Sequence, residues 1–261
     1  MGPVFILGFP RSGTTAMVNA VASLERFGPY KHEGHFMYLF SDAIARIQKG
    51  QYNDNSILRE EGAGQRFLAG FVREVNRLFS ARGAPDDTVW IDKTPDLAQV
   101  RAVPVIASLW PAARFIFLYR PAEQAVRSSL AVWRDRLEGR EAETAERWRA
   151  TQDGWRTARE GLDRARYVEV YQPDMLAKPR AVAGQLKPLL QLSDEEVDKL
   201  TRLWTNNQMI NRPKGERGAQ YDSVQLSPEA LEVVRRVTGA EAAHWPQLAA
   251  GAAARKEDND G

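Results

Sequence analysis

The chain contains no cysteine among its 261 residues. That excludes disulfides, thiolate metal sites and cysteine nucleophiles together. Histidine is almost as scarce, at three residues, two of which, His32 and His35, share one short stretch. A His-x-x-His pair with no cysteine and no further histidine nearby falls short of a metal-ligand set, so no metal site is expected. Long apolar runs are missing as well. None approaches a membrane span, and the chain opens without the basic and apolar regions of a secretory signal. These absences give the expectation of a cytoplasmic protein without a transmembrane segment. An excess of either charge is also lacking: 36 Lys+Arg against 34 Asp+Glu leave a net charge of +2. That argues against a dedicated nucleic-acid partner but allows local basic clusters around a small anion.

What is present is ordinary for a globular protein, with 43% hydrophobic and 27% charged residues. The length suits one α/β domain, expected over residues 1–250, followed by a flexible tail at 251–261. Short apolar, β-branched and aromatic runs predict strands at 4–8, at 88–91 (Thr88-Val89-Trp90-Ile91), at 114–119 and at 167–171. Between them lie segments of helical periodicity. These cover about 14–24, 36–48, 65–82 (with Phe67, Phe71, Val75 and Leu78 on one face), 97–110, 122–130 and 133–165. After the fourth strand come a helix reaching Leu190, a capping box at Ser193-Asp194-Glu195-Glu196 and a last helix from Ser227-Pro228. Strands separated by helices of this length imply a parallel sheet with right-handed crossovers, whose ligands bind at the carboxyl ends of the strands.

Three polar groups stand at those ends. The first is Gly8-Phe9-Pro10-Arg11-Ser12-Gly13-Thr14-Thr15, a strand, a turn and a helix start in succession. Backbone N–H groups at such a helix start hold a phosphate-like anion. The spacing Gly8-x4-Gly13 matches a Walker A loop, but Thr14 stands where a nucleotidase carries lysine, and a cation appears instead at Arg11. The second is Asp92-Lys93-Thr94-Pro95. The third is Arg120 at a strand end, with Ser128 about two turns into the following helix, so that one phosphate over that helix meets both. A polar cluster, Lys31-His32-Glu33-Gly34-His35, follows the first helix, with Gly34 placed to allow a tight bend.

Pro10-Arg11-Ser12-Gly13-Thr14-Thr15 resembles the 5′-phosphosulfate loop of sulfotransferases that use 3′-phosphoadenylyl sulfate (PAPS). Phe115 to Pro121 with Ser128 resembles the 3′-phosphate element of the same family. The resemblance runs from residue 3 to about 218. It implies an α/β, three-layer P-loop-like fold, a central parallel sheet flanked by helices, with a helical lobe. It further implies PAPS as donor, PAP (3′,5′-ADP) as product and no metal, with a hydroxyl of a small-molecule, carbohydrate or lipid acceptor receiving the sulfuryl group. By that resemblance Arg11, Ser12, Gly13, Thr14 and Thr15 hold the 5′-phosphosulfate, Arg120 and Ser128 hold the 3′-phosphate, and Arg212, Lys214 and Gly215 lie in the basic loop that closes over it. Lys93 stabilises the bridging oxygen. One departure stands out: where the cytosolic branch places a histidine base after Lys-Thr, this chain has Pro95. Glu33, at the position of the glutamate base in the branch acting on carbohydrates and protein tyrosines, is the first candidate, with His32 and His35 as rivals. The readings set against this one are a P-loop small-molecule kinase, with Asp92 as its magnesium-binding acid, and a non-catalytic nucleotide-binding protein.

Overall fold

Strand neighbours point to opposite faces of a sheet, and here both faces of the runs at 4–8 and 115–118 are apolar, so both must be covered. A computed structural model of the chain describes residues 1–30, 33–35, 37–80, 88–206 and 225–239. Strand β1 (Val4–Gly8) leads to α1 (Thr14–Ala22), α2 (Met37–Gln48) and α3 (Ala63–Ser80). Next come β2 (Ile91–Lys93), α4 (Leu97–Arg101), α5 (Val103–Leu109), β3 (Arg114–Tyr119), α6 (Ala122–Val132), α7 (Arg134–Leu137) and α8 (Glu141–Glu160). Strand β4 (Tyr167–Tyr171) is followed by α9 (Asp174–Ala177), α10 (Pro179–Leu190), α11 (Asp194–Thr205) and α12 (Pro228–Thr238). The strands form one four-stranded sheet in the order β2-β1-β3-β4, parallel throughout. The chain leaves β1 toward one edge and β3 toward the other. The carboxyl ends of these neighbours therefore flank the switch point at which α/β sheets bind ligands.

The alternation of side chains builds three layers. Val4 and Ile6 of β1, Ile116 and Leu118 of β3 and Val168 and Val170 of β4 pack against α1, α10 and α11. Phe5, Leu7, Phe115 and Phe117 point the other way, onto α3, α4, α5 and α8. There Trp155 lies flat on Phe117, ring centroids 4.8 Å apart, and its indole N–H donates to Glu169 Oε1 at 2.7 Å. Asn76 Oδ1 accepts from both Trp90 (3.1 Å) and Trp110 (2.9 Å), so a single amide oxygen satisfies two buried indoles. A third cluster, the helical lobe, gathers Phe9, α6, α8 and Val234 of α12 around Trp148. Trp148 and Trp155 are thus packing residues, while Trp133 lies at the surface.

Several elements differ from the sequence-based expectation, each for a local reason. The second strand is Ile91–Lys93, three residues further along than 88–91. Val89 makes only an isolated bridge to Phe27, and the ladder with β1 pairs Val4 with Ile91, Phe5 with Asp92 and Ile6 with Lys93. The helix expected over 97–110 is two helices, because Pro104 has no N–H to continue the first. The helix reaching Leu190 breaks at Lys178, whose φ of −139° is the extended backbone favoured before a proline. The stretch 133–165 divides at Gly139, φ +77°. On α3 the inward stripe is Phe71, Val75 and Phe79; Phe67 and Leu78 are exposed. The capping box is present, with Glu196 N–H donating to Ser193 Oγ (3.1 Å) and Ser193 N–H to Glu196 Oε2 (2.8 Å).

Among the described residues no helix is long and apolar enough to cross a membrane, and no group of three or more His, Asp or Glu is placed to hold a metal ion. The tail at 251–261 lies outside the described residues.

Candidate functional site

The loop after β1 turns under steric compulsion. Gly8 has φ +147°, and a Cβ there would stand 2.7 Å from the Leu118 carbonyl of β3. Ser12 N–H closes the turn on Phe9 O at 3.1 Å. Arg11 (φ +71°) and Gly13 (φ +85°) both adopt left-handed backbone, and a Cβ on Gly13 would meet Gln172 Cγ at 2.7 Å. Helix α1 then begins at Thr14 with no side chain capping its amides. Its N-terminus therefore presents donors and the positive end of the helix dipole at the sheet's switch point. Ser12 is fully buried, and its Oγ has no hydrogen-bond partner among the described residues. Thr14 is buried and Thr15 half-buried beside it.

The loop is tied directly to the element after β3. Arg120 Nη1 donates to the Arg11 carbonyl at 2.9 Å, and Arg11 Nε donates to Ser128 Oγ at 3.2 Å. Arg120 Nε reaches Gln124 Oε1 at 3.4 Å, and the Trp148 indole N–H fixes the Arg120 carbonyl at 3.0 Å. Two motifs more than a hundred residues apart in sequence thus form one cationic cradle, with Ser128 buried in its wall. The sequence-based reading placed both motifs at strand ends. It did not anticipate that Arg11 would join them.

The second half of the site sits at β2. The Lys93 side chain, 5% exposed, ends in an ion pair with Glu33 Oε1, and Glu33 Oε2 meets His35 Nε2. The Tyr30 ring lies 5.5 Å from the Lys93 ammonium. A lysine buried to this degree needs a partner for its charge, and Glu33 supplies one. Because Lys93 is paired across the ladder with Ile6, it stands beside β1 just before the loop to α1 begins.

Asp92 points to the opposite face, and this group is the one sequence reasoning missed. Its carboxylate, 1% exposed, accepts from Gly34 N–H (2.9 Å), from Thr94 Oγ1 (3.2 and 3.3 Å) and from Gln99 Nε2 (3.0 Å). A carboxylate so engaged beneath the sheet end does not present itself as the magnesium-binding acid of a kinase. Gly34 also serves otherwise than expected. The left-handed residue of this turn is His35 (φ +49°), while a Cβ on Gly34 would fall 2.5 Å from Asp92 Oδ1. Glycine is required there for close approach, not for the bend. The available signal was the charged pair Asp92-Lys93 directly after an apolar run, since charges inside a buried strand must have partners. His32, Arg212, Lys214 and Gly215 lie outside the described residues.

Residues 3–196 match the model of the sulfotransferase family. The chain belongs to that family. Its fold is shared by other sulfotransferases at low sequence identity. The sulfotransferase domain from the Synechococcus PCC 7002 olefin synthase is 19% identical with a TM-score of 0.55, over 93% of this chain and 94% of that domain. The sulfotransferase domain from the curacin biosynthetic pathway is 17% identical with a TM-score of 0.55, over 92% of this chain and 97% of that one. Sulfotransferase STF9 from Mycobacterium avium is 15% identical with a TM-score of 0.52, over 93% of this chain and 76% of that one. No curated protein matches the chain. In this sulfotransferase the kinase reading lapses.

Proposed function

We propose that this sulfotransferase takes its sulfuryl group from PAPS and passes it to an acceptor hydroxyl of a small molecule, carbohydrate or lipid, with Glu33 as the base. The observation that carries this reading is the joined cradle of Arg11, Arg120 and Ser128 at the ends of β1 and β3, which suits a ligand anionic at two separated points. The orphaned Ser12 hydroxyl and the uncapped start of α1 fit an anion seated in the loop. PAPS supplies the activated sulfuryl group.

The chain's own residues supply the rest. Amides of Gly13, Thr14 and Thr15, with the Thr14 and Thr15 hydroxyls and the Arg11 guanidinium, hold the 5′-phosphosulfate. Arg120 and Ser128 grip the 3′-phosphate and set the register of the donor. Lys93 stabilises negative charge on the bridging oxygen, fixed in place by its strand so that little reorganisation is needed. Glu33 takes the acceptor's proton at its Oε2, the oxygen facing His35, while Oε1 stays on Lys93. These cations perform the electrostatic task that magnesium performs in phosphoryl transfer.

A thermal-shift titration with 3′,5′-ADP beside Mg-ATP tests the donor assignment. Ligand at 100 times its Kd adds roughly 2.7 kcal/mol, which at this chain length raises Tm by several degrees. The expected result is stabilisation by 3′,5′-ADP that falls by about half or more in Arg120→Ala. Stabilisation by Mg-ATP alone would overturn the reading.

A further inference from the structure

The segment carrying Glu33 is irregular backbone, yet two successive amides in it are captured. Gly34 N–H donates to Asp92 Oδ1 at 2.9 Å, and His35 N–H donates to Thr94 Oγ1 at 3.2 Å. The Thr94 hydroxyl in turn donates a hydrogen bond to Asp92 Oδ2 at 3.2 Å, and Gln99 Nε2 donates to the same oxygen at 3.0 Å. Thr94 is fully buried. Asp92 and Thr94 flank Lys93 in sequence, and the contact at Gly34 leaves no room for a side chain. The main chain that holds Lys93 against Ile6 is therefore the same main chain that holds the turn bearing Glu33.

We infer that Asp92 and Thr94 are positioning residues for the base: they dock the Glu33 turn onto β2 so that Glu33, Lys93 and the donor loop share one rigid sheet. This rests on Glu33 being the base of the proposed reaction. Neither residue touches the reacting atoms; both work through the backbone of Gly34 and His35. The chemical reason for such a device is geometric, because a misplacement of about 1 Å costs on the order of 100-fold in rate. The contacts with Lys93 and His35 fix the Glu33 carboxylate at its tip, and the bonds from Gly34 N–H and His35 N–H fix the irregular backbone that carries it.

The test uses the full chain and its Thr94→Ala, Thr94→Ser and Asp92→Asn variants. Amide hydrogen exchange at Gly34 and His35 is read by NMR with 3′,5′-ADP bound, and PAPS consumption is read separately, without added 3′,5′-ADP, with water as the acceptor. In the wild type both amides should be protected despite lying outside any helix or strand. In Thr94→Ala the His35 amide should exchange on the order of tenfold faster. In the same variant kcat should fall toward 100-fold while KM for PAPS and the 3′,5′-ADP thermal shift stay put. Thr94→Ser should restore both, which a purely structural role for the threonine methyl would not allow. Asp92→Asn should keep Gly34 protected, because its amide oxygen still accepts from that N–H. Gln99 Oε1, which has no partner among the described residues, can turn to meet the new amide. Unprotected wild-type amides, exchange at His35 unchanged in Thr94→Ala, or exchange that rises with no change in kcat, would each overturn the inference. Failure of 3′,5′-ADP to stabilise the wild type would instead strike the donor reading, leaving the exchange result to judge the tether alone.

Discussion

The proposed donor side of the site stands on strand ends and helix starts, whereas the proposed base side stands on irregular backbone tied down by side chains. On the donor side the loop is shaped by φ values that glycine supplies at Gly8 and Gly13, and by the first turn of α1. Arg120 and Ser128 are likewise placed by β3 and α6. On the base side, Glu33 has no element of its own. Its position follows from Lys93, from His35 and from the bonds that Asp92 and Thr94 make to the amides after it. In the proposed reaction the first arrangement sets affinity and register for the donor, and the second sets the geometry of a single proton transfer, where tolerance is smallest.

If the two sides are separable in this way, substitutions should divide them. Glu33→Gln should have the largest effect, lowering the rate of PAPS consumption by roughly 10²- to 10⁴-fold. The thermal shift given by 3′,5′-ADP should persist in that variant; if it vanishes too, the two sides are one unit. Arg120→Ala should act in the opposite sense. Isothermal calorimetry should show 3′,5′-ADP binding weakened roughly 10- to 100-fold, the loss of charge-assisted bonds, with Gly34 exchange unaltered. Ser128→Ala removes a neutral partner and should cost about five- to tenfold in the same calorimetric experiment. The smallest effect is expected from His35→Gln, about threefold or less in rate, because that imidazole is half exposed and its contact with Glu33 is screened by water. A loss in His35→Gln as large as that in Glu33→Gln would transfer the base to the histidine.

The contrast also explains what could be read before any coordinates. The loop after β1, Arg120 with Ser128, the separate strands and the capping box at Ser193 are local: each is written in nearby residues whose periodicity and turn chemistry decide their shape. The strand at β2 was misplaced by three residues because Asp92 and Lys93 look like a polar strand end. Inside the fold they are strand members whose charges are met by Gly34, Gln99 and Glu33. Those partners lie about sixty residues away, or on the following helix, and no spacing rule connects them. The same limit applies to Asn76, whose two indole donors come from separate segments. It applies again to Gln172, whose side chain is what forbids a Cβ at Gly13.

Arg11 offers its carbonyl to Arg120 and its guanidinium to Ser128, so one residue is both the hinge pin and the spacer of the donor cradle. Positions 11, 120 and 128 are consequently a single unit for anyone redesigning donor preference. A double-mutant cycle across Arg120 and Ser128 should return a coupling of about 0.5–3 kcal/mol, not simple additivity. Libraries that vary these positions one at a time will therefore sample mostly broken intermediates, and only joint randomisation of the three reaches a cradle of new spacing.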